Sequence, residues 1–241
     1  MQRWLRRIVS GGCCRAKALE LKHNCRRCAC SELEANTRLL PRKILDKGNT
    51  ETMKLEIMQK INGVDTTRLQ ETIRAVKAAP ELGQFNFRIK NRWIDAGENR
   101  SEVKSFHGCG QELSHTADFS LSADEPAILL GKDTGANPVE HLLHALAACV
   151  TTSMVYHAAA RGIDIDEVES SLEGDLDLRG FLGLDPAVRN GYRGIQIKLR
   201  IKANVTDEQM QELGSLGPMF SPVFDSLTKG VPISVAAERL A

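Results

Sequence analysis

The chain has almost no net charge, few cysteines beyond its first thirty residues, and no repeated segment. A balance of +1 gives no electrostatic basis for binding nucleic acid or an anionic membrane surface, so neither is expected as a partner. Beyond residue 50 the cysteines are Cys109 and Cys149. Two thiols do not make the even-numbered framework of a stapled secreted domain, and a reducing, cytoplasmic compartment is the expectation. The apolar stretch after Arg7 is too short for the h-region of a secretory signal. No H-E-x-x-H and no second Cys-x-x-Cys pair is present, so neither a metal nor a cofactor is called for. The longest apolar run, Leu142 to Ala160, has the length of a membrane span. It carries His144, His157, Thr151, Thr152 and Ser153 and is rich in alanine, which reads instead as a buried core helix.

What is there is a chain of 241 residues, 42% hydrophobic and 26% charged, enough for a sizeable core. The charge is unevenly spread. Residues 1–50 hold twelve Lys and Arg against four Asp and Glu, +8, and the remainder holds twenty against twenty-seven, −7. The basic head, residues 1–54, contains Cys13, Cys14, Cys25, Cys28 and Cys30 and no sustained periodicity. It reads as a disordered extension or as sequence upstream of a start at Met53, with an Arg-rich transit peptide and a Cys25–Cys28–Cys30 zinc site as the alternatives.

Residues 55–84 form an amphipathic helix and linker, with Asp65-Thr66-Thr67 as cap, Leu69, Ile73 and Val76 on one face, and Pro80 as the stop. From Phe85 the period changes to two. Phe85, Phe87, Ile89 and Trp93 predict one half-exposed strand, Val103 to Phe106 a second, and Ala117, Phe119 and Leu121 the inward side of a third, arranged as an antiparallel meander. The central helix is predicted from Pro138 to about Arg161. Asn137-Pro138-Val139-Glu140 supplies a cap, a first-turn proline and a capping-box carboxylate, and Gly162 ends it. Being apolar or small nearly all round, it needs to be enclosed. Two more strands are expected, one with Val168, Leu172, Leu176 and Leu178 on one side and one with Ile195, Ile197, Leu199 and Ile201 inward, joined by a Gly-rich loop. A helix near Thr206, a short helix capped by Ser221-Pro222 and a last strand from Ile233 to Ala236 complete an α+β fold over residues 85–241.

Candidate chemistry centres on the thiol of Cys149. It lies about three turns into the helix, too deep for the helix N-terminus to lower its pKa, so activation would need a neighbouring side chain. The competing reading is an inert packing thiol in an A-A-C-V context. His141 and His144, one turn apart beside Glu140, suit a metal pair or a base near the thiol, or are solvated histidines at a helix start. His107 and Cys109 sit on a glycine-flanked loop where a thiol would be accessible.

The segment D-E-P-A-I-L-L-G-K-D-T-G-A-N-P-V-E-H-L-L-H-A-L-A-A-C-V-T-T, residues 124–152, resembles the family of osmotically induced protein C (OsmC) and the organic hydroperoxide resistance proteins. So do the strand pair after Gly162 and the F-S-P-V segment. The resemblance runs from about Phe85 to the C-terminus. It implies an intertwined α+β homodimer with long central helices enclosed by sheets from both subunits. It also implies, for peroxidase members, a cysteine that reduces a hydroperoxide through a sulfenic acid resolved by a second cysteine. Carried over, Cys149 matches the reactive cysteine. The family's glutamate falls on Val139, with Glu140 one residue later and about 100° further round the helix. The activating arginine falls on Leu129, and the resolving cysteine on Ser221, which marks a subgroup lacking that cysteine. Two functions follow as expectations. The first is a thiol peroxidase for organic hydroperoxides, with Cys149 as nucleophile, Glu140 or a nearby arginine orienting it, an external thiol reductant, and Cys109, Ser221 or His144 in resolving or pocket roles. The second is a non-peroxidatic dimer that binds a hydrophobic small molecule and keeps Cys149 as pocket wall.

Overall fold

The computed structural model describes residues 60–240, which lie within one unit. The readings for the cysteine-rich head lie outside the described residues. The elements that follow are mixed helix and antiparallel sheet, the α+β class expected.

A two-residue hairpin, β1 (Lys60–Ile61) and β2 (Val64–Asp65), precedes α1 (Thr66–Ala78). Asp65 caps α1 by accepting the Arg68 amide at 3.0 Å, and the helix stops two residues before Pro80, which has no N–H to continue it. Asn62, in the left-handed turn of the hairpin, donates to the Ile163 carbonyl at 3.0 Å and accepts the Ile165 amide at 2.8 Å. One side chain thus pins the start of the unit to the chain leaving the central helix.

The first sheet is a meander built on β5 (Glu98–Gly108). β6 (Gln111–Ala123) pairs along one edge, and β3 (Asn86–Phe87) and β4 (Lys90–Asp95) lie in series along the other. The strand expected to run unbroken from Phe85 to Trp93 is interrupted at Arg88–Ile89. Its apolar side, expected to face inward, is uncovered among the described residues: Phe87 is 70% and Trp93 66% exposed, and Phe119 and Leu121 are nearly half exposed. Phe85, Phe87, Phe106, His115 and Phe119 form a row across this face, with successive ring centroids 5.1–5.9 Å apart. Alternation reported the two faces of the sheet correctly, but among the described residues nothing packs on the apolar one.

The central helix, α2, spans Pro138–Ala160, and β7 (Glu167–Asp175) pairs antiparallel with β8 (Gly194–Lys202) after it. β7 ends before Leu176, and Leu178 begins the short α3 (Leu178–Phe181), so neither extends the strand as expected. α4 (Asp207–Phe220) and α5 (Pro222–Lys229) follow. The core is the seam between α2 and α4: Met154, Ala158, Leu213 and Leu216 are buried with Ile163, and Val168, Leu199 and Ile201 pack against them. Gly217 sets how close the helices come, because a Cβ there would lie 2.7 Å from Val150 Cγ1 and 2.8 Å from the Val150 carbonyl oxygen.

α2 has the length and hydropathy to cross a membrane. Within the chain it is buried along a stripe, Leu146, Val150, Met154 and Ala158 with Ala159, rather than all round as expected. The strand expected at Ile233–Ala236 is absent: residues 230–240 have no regular structure, and Val235 is 91% exposed. A period-two pattern reports strand propensity, while a strand also has to bond to an edge, and residues 230–240 pair with none of the described strands.

Candidate active site around Cys149

The first turn of α2 is fixed by reciprocal bonds. Asn137 Oδ1 accepts the Glu140 amide and Glu140 Oε2 accepts the Asn137 amide, both at 2.8 Å. The carboxylate proposed to orient the thiol is therefore engaged in the capping box. The Tyr192 hydroxyl donates to the Val139 carbonyl at 3.1 Å. Burial, reinforced by the negative charge of Glu140, holds the Tyr192 pKa above its ordinary value. His141 Nε2 lies 2.9 Å from the Ser122 carbonyl. A carbonyl only accepts, so Nε2 carries the proton, and the ring ties α2 to the end of β6. His144 is exposed. Among the described residues no group of three or more His, Cys, Asp and Glu converges to hold a metal ion.

Cys149 is a free, half-buried thiol. It begins a line at four-residue spacing, Cys149, Ser153, His157 and Arg161, along one side of α2 and its C-cap. The C-terminal end of α4 lies along this line. Gly217 abuts Val150, the Ser153 hydroxyl donates to the Phe220 carbonyl at 3.3 Å, and the Phe220 ring stacks on His157 with centroids 3.7 Å apart and planes 11° from parallel. These contacts bring the junction between α4 and α5, and Ser221 in it, to the part of α2 that carries Cys149. Ser221 is 2% exposed, and its Oγ accepts the Phe224 amide at 3.1 Å. It serves as the N-cap of α5 where the resemblance expects a second thiol.

The other candidates are placed elsewhere. Cys109 and Gly110 form the two-residue turn between β5 and β6, with φ of 51° and 74°. Both values suit the type I′ turn of a tight hairpin. The thiol is exposed at the end of the hairpin opposite the one His141 joins to α2, about 25–30 Å away along β5. Leu129 closes a short 3₁₀ turn, Ala127–Leu129, and Leu130 beyond it has φ 67°. That loop is held by Asp124, which sequence reasoning missed. Its carboxylate is 1% exposed and accepts the amides of Glu125, Lys132 and Thr134 and the Thr134 hydroxyl at 2.8–3.2 Å. Burial pushes the carboxyl up, but the Thr134 and Glu125 amides and the Thr134 hydroxyl outweigh it and hold the pKa below 3.8. His157 was also missed. Its four-residue spacing from Ser153 and Arg161 was the available signal. A cleft of about 350 Å³, lined by Arg161, Ile163, Asp164, Asp166, Asn204 and Gln209 among others, lies at the far end of α2 from the first turn.

No curated protein matches the chain in sequence. Among solved structures it is similar to an OsmC-like protein from Mycoplasma pneumoniae, with 19% identity over 61% of this chain and 89% of that one and a TM-score of 0.46. It is also similar to the organic hydroperoxide resistance protein OhrB of Bacillus subtilis, with 21% identity over 59% and 90% and a TM-score of 0.36. A predicted redox protein from Legionella pneumophila, described as an organic hydroperoxide resistance protein OsmC, shows 14% identity over 60% and 91% and a TM-score of 0.41. The family model of OsmC-like proteins matches residues 131–236, a range that takes in α2 with Cys149 and the α4–α5 junction but not the first sheet. Over that range, 106 of the 241 residues, the chain is similar to the OsmC-like proteins.

Proposed function

We propose that the protein is a thiol-dependent reductase of organic hydroperoxides, with Cys149 as the reacting group. The observation that carries this reading is the position of Cys149: a free, half-buried thiol at the head of the line that runs to Arg161, inside the family-matched range. As thiolate it attacks an oxygen of ROOH. A sulfur–oxygen bond forms, the oxygen–oxygen bond breaks, and the alkoxide takes a proton and leaves as the alcohol. Ser221 cannot form a disulfide, so the sulfenic acid is resolved by an external thiol, which forms a mixed disulfide and releases water. A second thiol then frees Cys149 as the two external sulfurs pair. The reaction runs in a reducing compartment such as the cytoplasm.

The site is completed in a homodimer. Among the described residues α2 is covered along one stripe only, and the row of aromatic rings on the first sheet has no cover. A second copy offers both complements and would close an apolar pocket for the organic part of the hydroperoxide.

The test is exposure to an organic hydroperoxide, then a sulfenic-specific probe and mass spectrometry of the Cys149 peptide. The adduct is expected on Cys149, and Ser221→Cys is expected to replace it with a disulfide to Cys149. Absence of both, with ligand binding intact in Cys149→Ser, would leave the non-peroxidatic binding protein. The engagement of Glu140 in the capping box favours that second reading.

A further inference from the structure

We propose that His157, stacked on Phe220 and bonded to Arg161, is a proton-sensitive latch that sets the position of the α4–α5 junction beside the Cys149 turn. Three contacts define the latch. The imidazole lies flat on Phe220, 3.7 Å between centroids. Arg161 Nη1 is 3.4 Å from His157 Nδ1 and donates to the His157 carbonyl at 2.9 Å. The Arg161 guanidinium also faces the Phe220 ring, 5.9 Å from its centroid.

Neutral imidazole suits this arrangement, since Nδ1 without a proton accepts from Arg161 and the uncharged ring packs on Phe220. Protonation makes Nδ1 a donor facing a donor and sets two cations against one aromatic ring. Arg161 is the charged group acting on the imidazole. Glu212 of α4 pairs Arg161 at 2.9 Å and so holds the guanidinium beside the imidazole. Burial, with the charge of Arg161 added, accordingly holds the His157 pKa below 6.5.

The strain is relieved when Phe220 and the imidazole separate. Phe220 supplies the carbonyl bonded to Ser153 and is followed by Ser221, so the wall beside the Cys149 turn moves with it. A solution more acidic than the His157 pKa should therefore open the approach to the thiol. This inference rests on the position of the wall and does not depend on hydroperoxide chemistry.

The experiment follows alkylation of the full chain by iodoacetamide, a neutral reagent, with mass spectrometry of the Cys149 peptide against pH. Histidine NMR, assigned with His157→Phe, runs in parallel. An isolated thiol loses reactivity tenfold per pH unit below its pKa. In the wild type the rate is expected to stand about threefold or more above that line once His157, titrating below its ordinary value, is protonated. His157→Phe keeps the stack without the titration and should follow the simple line. Arg161→Gln removes the opposing charge and should move both the His157 titration and the break in the rate to higher pH. A break that persists in His157→Phe, or a His157 titration at or above 6.5 in the wild type, would overturn the latch. If His157→Phe does not fold, Arg161→Gln decides, since an unmoved break would overturn it too.

Discussion

Asp124 accepts four hydrogen bonds while shut away from solvent, and its partners span ten residues of chain. Asp124→Asn is nearly isosteric, but its amide would turn two donor hydrogens toward the Lys132 and Thr134 amides or the Glu125 amide. The expected outcome is a fall in melting temperature close to that of Asp124→Ala, measured by calorimetry, because a donor set against donors is worse than a lost bond. The folded pKa lies below the ordinary 3.8, so the contribution is complete above that value and is lost as pH falls through the folded pKa. Acid unfolding of Asp124→Asn should consequently show a weaker pH dependence below pH 4 than the wild type. None of this was legible in the sequence, since three of the four donors are backbone amides or neighbours of them that look the same in every loop. Ser221 was legible as a cap, because Ser-Pro before an apolar stretch is a helix start in its own right. Whether Cys149 has a resolving partner could be read only through the resemblance, which names position 221 and finds serine there.

At the level of elements, the limits of α2 followed from local chemistry alone. Asn137, Pro138 and Glu140 fix its start, and Gly162, with φ 75°, lies just past its end. The meander followed from alternation and turn residues. What failed were the statements about cover: the inward side of the first sheet and the final strand both needed a partner that local pattern cannot supply. The seam between α2 and α4 likewise depends on a residue without local meaning. Gly217 sits inside a helix, where glycine is unfavourable, and only the contact with Val150 accounts for it. Gly217→Ala should improve the intrinsic helicity of α4 yet destabilise the protein by about 1–3 kcal/mol in urea unfolding, because the added methyl meets a backbone oxygen that cannot rotate away. Val150→Ala would relieve only the Cγ1 contact, so the double variant should recover part of the loss and not all of it.

At the scale of the whole molecule, the described residues leave large apolar side chains exposed on the first sheet. Sedimentation at micromolar concentration is expected to give close to twice 26.6 kDa, and the melting temperature should rise with concentration as it does for any fold stabilised by its own association. Phe87→Ser, on the uncovered face, should shift the population toward monomer without altering the α2–α4 seam. A monomeric wild type would remove the case for a shared site. The row of rings from Phe85 to Phe119 also has a bearing on the order of events after synthesis. The hairpin of β5 and β6 joins residues close in sequence and can form within microseconds, and the α2–α4 seam must wait for closure of a longer loop. In the proposed homodimer, burial of the rings must wait for a collision. Refolding from denaturant should therefore end in a phase whose rate doubles when the chain concentration is doubled, with Trp93, which lies on that same sheet, as its fluorescent reporter.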